Sequence, residues 1–236
     1  MDDVNALDGV VRDRLETVRR RIHQAGGTDA VRIVAVTKGF GAEAVAAAVG
    51  AGLADIGESY ASELATKALA STGGATTIRW HFIGRLQTNK VRRLSSTVHL
   101  WQSVDRTGVV AELARRAPGA RVLVQVNVSG EPQKGGCDPA DAPALVAEAA
   151  AAGLVVRGLM CVAAAGGNEA ARPGFRLLRA LADDLGLEER SMGMSGDLEA
   201  AVEEGATIVR LGTSLLGPRA VPGGPGPRDG GSRLQH

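Results

Sequence analysis

Short apolar runs alternate with segments of helix length along nearly the whole chain, and that alternation restricts the fold more than any single motif does. The strand-like runs fall at 31–37, 53–57, 78–83, 98–103, 121–128, 154–162, 190–194 and 207–211. Between them lie Ala- and Glu-rich segments of helical character at 42–50, 59–70, 87–95, 106–116, 139–152, 169–185 and 196–204. Strands separated by helices build parallel sheets. Eight such units fit a closed (β/α)8 TIM barrel better than an open doubly wound sheet. Ahead of the first run, Val4, Leu7, Val11, Leu15, Val18 and Ile22 recur at spacings of three and four. That spacing predicts an extra amphipathic helix ending at Gly26-Gly27, with Arg19-Arg20-Arg21 on a solvated face. One barrel domain is expected over 1–219. The Pro-, Gly- and Arg-rich stretch 220–236 has no periodicity and is expected to be disordered.

The 236 residues carry a formal charge of +1. So even a balance argues against nucleic acid or an anionic membrane as the main partner. Cys137 and Cys161 lie far apart, without CxxC or histidine spacing, which argues against a disulfide framework and against zinc. Cys161 sits in an apolar run and reads as a buried core thiol. No apolar stretch is long and uncharged enough to span a bilayer, and the acidic start is unlike a signal peptide. A soluble cytoplasmic protein is expected.

A barrel gathers its functional groups at the C-terminal ends of its strands. The first run, Val31 to Thr37, closes on Lys38, which shares a period-two face with Val34 and Val36. An ammonium in such surroundings shifts its pKa or finds a partner, and a desolvated lysine is a standard Schiff-base nucleophile. A strand-end lysine snorkelling into solvent is the plainer reading of this stretch alone. The other strand ends supply Gly57-Glu58-Ser59-Tyr60, then His81-Phe82-Ile83-Gly84, Met160, Ser191-Met192-Gly193-Met194-Ser195 and Arg210-Leu211-Gly212-Thr213. In the fifth run, Val122, Val124, Val126 and Val128 suit packing under helices, while Gln125 and Asn127 face the lumen.

Arg210 shares its face with Ile208 and Gly212, so it points inward near the mouth, as Lys38 does. Two inward cations repel unless an anion lies between them. A phosphate site after the last strands is usual for this architecture, and Gly212-Thr213-Ser214 falls there with no acidic residue. Ser195 precedes Asp197 and Glu199 and reads mainly as an N-cap. A ligand with a phosphate, an aldehyde for Lys38 and a group for Arg210 is implied, and pyridoxal 5′-phosphate (PLP) has all three. The alternative for Arg210 is a structural ion pair with Glu58 or Asp55. The alternative for the whole site is a sugar phosphate held without covalent chemistry.

The segments Val34-Ala35-Val36-Thr37-Lys38, Gly57-Glu58-Ser59-Tyr60, Trp80 to Lys90, Gly158-Leu159-Met160, Ser191 to Ser195 and Val209 to Thr213 resemble the YggS/PROSC family of pyridoxal phosphate homeostasis proteins. The resemblance runs in order over about residues 5 to 219. It implies the alanine racemase N-terminal-like barrel without a second domain, a monomer, and PLP held as an internal aldimine on Lys38. It also implies phosphate contacts from Ser191, Gly212 and Thr213, with Arg210 beside the pyridine nitrogen. Gly193 is a further candidate on the phosphate side, and Ser59, His81, Ile83, Gly84, Met160 and Met194 complete the expected surroundings of the cofactor. Ser59 departs from the family, which commonly has Asn there; its shorter hydroxyl puts a direct contact to the ring oxygen in doubt.

An arginine cannot accept the proton that PLP enzymes keep on the pyridine nitrogen with a carboxylate. The expected role is therefore a non-catalytic carrier that stores, shields and delivers PLP, with transient contact to PLP-dependent apo-enzymes. Lys90 is a candidate second amine for transfer. The competing expectation is a weakly active PLP-dependent racemase or lyase on the same pocket.

Overall fold

A computed structural model describes residues 2–71 and 76–218. The expected disorder of 220–236 lies outside the described residues. The elements alternate as the sequence predicts: α1 (Asp2–Gln24), β1 (Arg32–Val36), α2 (Ala42–Gly50), β2 (Asp55–Glu58), α3 (Ala61–Ala70), β3 (Arg79–Phe82), α4 (Thr88–Leu94) and β4 (Val98–Val104). Then follow α5 (Thr107–Arg116), β5 (Arg121–Gln125), a 3-10 turn at Pro132–Lys134, α6 (Ala142–Ala151), β6 (Val155–Met160), α7 (Asn168–Asp184), β7 (Glu189–Ser191), α8 (Leu198–Glu203), β8 (Ile208–Leu211) and α9 (Thr213–Leu216). The strands pair in parallel from β1 round to β8, and β8 pairs with β1 to close the barrel.

Period two divides each strand between two cores. Outward residues such as Ile33, Ala35, Trp80, Phe82, Val122, Val124 and Val209 pack under the helices in one large cluster. Val34, Leu100, Leu123, Met160 and Ile208 form a separate apolar layer inside the lumen. Each fully buried Leu, Ile, Val or Phe contributes about 1.5–3 kcal/mol of transfer free energy, which makes the outer cluster the main source of stability.

The extra helix α1 buries Val11, Val18 and Ile22 and packs against α2, α8 and α9. It ends in a turn where Gly26 takes a positive φ and the Gly27 N–H reaches back to the Ile22 carbonyl at 2.9 Å. Its arginine run is structural: Arg21 pairs with Glu199 at 2.6 Å, and Arg19 donates to the Val31 carbonyl. Two strands stop three residues before their apolar runs end. β5 stops at Gln125 because the chain beyond it bridges back through Val126 to Cys137. β7 covers only Glu189–Ser191, since Gly193 turns the chain at a φ of 94°. No described helix is long and apolar enough to cross a membrane. Among the described residues no His, Cys, Asp or Glu cluster is suited to a metal ion.

Candidate functional site

A cavity of about 310 Å3 opens at the C-terminal end of the barrel, in the volume range of small-molecule sites. Lys38 and Val36 line it from the end of β1, Ile83 from β3, Met194 and Ser195 from the β7–α8 loop, and Arg210, Gly212 and Thr213 from β8 and the start of α9. Phe40 and Gly196, neither among the expected site residues, complete the wall. Lys38 is half-buried, and among the described lining residues there is no carboxylate.

The backbone beneath Lys38 is fixed by a buried cluster that sequence reasoning missed. The Lys67 ammonium, 5% exposed, donates to the Thr37 carbonyl at 2.7 Å, to Glu58 at 2.6 Å and to Glu63 at 3.0 Å. Thr37 donates its hydroxyl to the same Glu58 oxygen, and the Gly39 N–H meets Glu63 at 2.8 Å. Burial pushes the Glu58 carboxyl up, against the opposing pull of Lys67 and Thr37. Strand end, turn and helix α3 are thereby tied together where the lysine emerges.

Arg210 is 5% exposed, and it pairs with neither Glu58 nor Asp55, which corrects that alternative. Its Nη1 donates to the Ser191 carbonyl at 2.8 Å and to Ser191 Oγ at 2.7 Å, and its Nη2 donates to the Cys161 carbonyl at 2.7 Å. A guanidinium has five N–H donors, so these bonds fix it and leave donors for a ligand in the cavity it lines. Burial draws its pKa down from the ordinary value, yet arginine stays charged.

Three hydroxyls meet between the β7–α8 loop and the start of α9. Ser195 Oγ lies 3.0 Å from Ser214 Oγ and 3.3 Å from Thr213 Oγ1, and it accepts the Ser214 N–H at 3.3 Å. Ser195 is therefore no N-cap: α8 begins at Leu198, and Asp197 accepts the Met194 N–H at 2.5 Å. The signal that could have found Ser195 is the hydroxyl two residues beyond Gly193, in a loop already expected at the mouth.

Other expected site residues lie elsewhere. Ser191 and His81, both expected near the cofactor, have no solvent exposure, and their polar atoms are engaged within the lumen. Met160 belongs to the apolar layer beneath the mouth. Gly193 is structural: a Cβ there would meet the Ala201 side chain of α8 at 2.5 Å, and its carbonyl accepts the Arg210 N–H. Ser59 and Gly84 line a neighbouring groove, not the cavity. A Cβ on Gly84 would strike the Ser59 carbonyl, so glycine lets the ends of β2 and β3 approach. That groove, about 820 Å3, carries Arg85, Lys90, Arg92, Arg93 and Arg106, with no carboxylate among its lining residues. Both cysteines are free thiols; burial pushes Cys137 up to about 11 and Cys161 to about 12.

A family model described as alanine racemase, N-terminal domain, matches residues 10–220 of this barrel. Within that class, a pyridoxal phosphate homeostasis protein of Pseudomonas aeruginosa is 44% identical over 85% of this chain and 90% of its own length. One from Aquifex aeolicus is 39% identical over 87% and 95%. PipY of Synechococcus elongatus, solved with PLP bound, superposes with a TM-score of 0.76 at 31% identity, covering 88% of this chain and 100% of its own. The chain belongs to the pyridoxal phosphate homeostasis family, on the alanine racemase N-terminal fold.

Proposed function

We propose that this chain binds PLP in the cavity at the barrel mouth, with Lys38 as its covalent anchor, and serves intracellular PLP homeostasis by storing, shielding and delivering it. The observation that carries this reading is one small cavity holding an amine, a fixed guanidinium and a cluster of hydroxyls, with no carboxylate in its lining. Such a donor set fits an anionic, aldehyde-bearing ring. When bound, PLP supplies the electrophilic aldehyde with which an amine condenses, releasing water. Thr213 and Ser195 would hold the phosphate with hydroxyl donors. Arg210 would donate an N–H toward the ring nitrogen and, having no acceptor, leave it unprotonated.

The same arrangement favours a carrier over an enzyme. Tyr60, the only tyrosine, is 57% exposed and lines the basic groove, so no second base is supplied from there. The proposed carrier is read as a cytoplasmic monomer. Borohydride reduction of the PLP-loaded protein and peptide mapping tests the anchor: a pyridoxyl adduct on Lys38 is expected, and Lys38→Ala should lose adduct and yellow colour together. Colour retained by Lys38→Ala removes the reading. Exchange of the Cα–H of several amino acids in deuterated buffer at useful rates would favour the racemase or lyase alternative.

Delivery needs contact with acceptors, and the basic groove is the surface that supports it. Ile83 lines the cavity and Gly84 the groove, so the end of β3 joins the two. All five of its cations, Arg85, Lys90, Arg92, Arg93 and Arg106, are exposed. An acceptor apo-enzyme with an acidic rim would be steered there. Reversing two of these charges (Lys90→Glu with Arg93→Glu) should slow transfer at low salt about tenfold or more, and by much less at 0.5 M salt. Equal transfer rates at both salt levels would remove the groove from delivery.

A further inference from the structure

A single file of buried polar side chains runs down the barrel from Arg210 to Asp55. Arg210 Nη1 donates to Ser191 Oγ at 2.7 Å, and Ser191 Oγ donates to Gln102 Oε1 at 2.7 Å. Gln102 Nε2 lies 2.7 Å from His81 Nδ1, and His81 Nε2 lies 2.9 Å from Asp55 Oδ1. Asp55 is gripped in turn by the Arg79 fork at 2.6 and 2.8 Å. Five strands contribute: β8, β7, β4, β3 and β2.

The charged ends fix the direction of every bond. Arginine only donates, so Ser191 Oγ accepts from it and places its single proton on Gln102 Oε1. The Gln102 amide is then oriented with Nε2 toward His81, whose Nδ1 must accept. His81 is left as the Nε2–H tautomer, donating to the Asp55 carboxylate. All donors therefore run from cation to anion, an arrangement in which each bond polarises the next. Asp55, held by Arg79, closes the far end of the file, while the carboxylate that acts on Arg210 through space is Asp197.

Period two puts Gln102 on the same face of β4 as Leu100 of the lumen layer, so it enters the lumen between Ser191 and His81 with no solvent exposure. Just beyond it the register shifts: Trp101 pairs with Val122 and Val104 with Val124, so two residues of β4 stand opposite Leu123 alone, and Val104 packs outward under the helices.

We propose that Gln102 is a positioning residue for the cofactor cradle: through Ser191 it aims Arg210 into the mouth, and through His81 it ties that guanidinium to Asp55. This rests on the reading that the cavity holds PLP. The charged or titratable groups facing His81 are Asp55 from β2, Arg79 from its own strand, Arg32 from β1 and His99 from β4.

The test compares wild type with Gln102→Leu and Gln102→Glu, reading PLP affinity by titration and the His81 ring nitrogens by 15N NMR with and without PLP. Wild type should show a protonated Nε2 and a bare Nδ1. Gln102→Leu breaks both bonds and should weaken PLP binding about tenfold, the loss expected for one buried hydrogen-bonded link. Gln102→Glu still accepts from Ser191 and should hold affinity within about threefold of wild type, while drawing a proton onto His81 Nδ1. Undiminished affinity in Gln102→Leu, or an Nδ1–H tautomer in the wild type, overturns the proposal. If Gln102→Leu does not fold, Ser191→Ala takes its place with the same expected loss. A wild type that takes up no PLP would sink the reading of the cavity, whereas the His81 tautomer of the apo-protein still decides the relay.

Discussion

Inside the barrel, an apolar layer and a polar file share the same strands: β4 gives Leu100 to one and Gln102 to the other, and β8 divides Ile208 and Arg210 likewise. The apolar layer is held by contacts without direction, so any side chain of similar volume can serve. Each member of the file has one partner on either side and a required donor or acceptor role. Removing one leaves two buried groups unmet, each costing about 1–3 kcal/mol. The lumen thus combines a tolerant filler with an all-or-none wire, and the wire ends at the guanidinium of the candidate site.

The widest separation between the two should appear on truncation followed by conservative repair. Asp55→Ala removes the acceptor of both His81 and Arg79 and should cost about 4 kcal/mol, the range for breaking a buried pair. Leu123→Ala should cost about 3 kcal/mol through lost transfer energy and a residual cavity. Repair distinguishes them. Leu123→Met keeps volume and should recover to within about 1.5 kcal/mol of wild type. Asp55→Asn keeps shape but loses the charge, and half or more of the deficit should remain. Urea denaturation of the four variants measures this, and full recovery by Asp55→Asn would erase the distinction.

Much of this was legible from residue order. The alternation of runs gave the barrel, and period two placed Arg210 inward beside Ile208 and set the valines of β5 against the helices. His81 and Ser191, read as strand-end groups, are fully buried: β3 runs on one residue past His81 to Phe82, and the chain continues past Ser191 through the Met192–Ser195 turn. Gln102 was passed over although it shares a period-two face with Leu100: an amide in an apolar run gives no sign of the partners that neighbouring strands bring to it. Lys67 was invisible for a different reason. Four residues after Glu63 on a helix, it has the spacing of an ordinary surface pair, and only the tertiary fold turns it under the β1 end.

The smallest effect expected from the comparison is a pH dependence confined to the polar file. Burial draws the His81 pKa below its ordinary value, outweighing the opposing pull of Asp55, so the folded state keeps the ring neutral. The unfolded ring titrates near the ordinary value of about 6.5. As pH falls below that value, the unfolded chain takes up a proton that the folded chain refuses, and stability must fall by up to about 1.4 kcal/mol per pH unit until the folded pKa is reached. His99 is shifted in the same direction, by burial first and then by His81 and Arg121, but its greater exposure weakens its share. Asp55 enters later. Burial raises its carboxyl, but Arg79 and His81 together more than reverse that and hold it well below the carboxylate range. Its contribution is complete above about pH 4 and is lost only in stronger acid. Urea midpoints at pH 7.5, 6.5 and 5.5 should therefore decline across the last interval. Leu123→Met should follow the wild-type curve, since the apolar layer binds no proton, and His81→Gln should flatten it. A His81→Gln curve that keeps the full slope would move the titrating group out of the lumen.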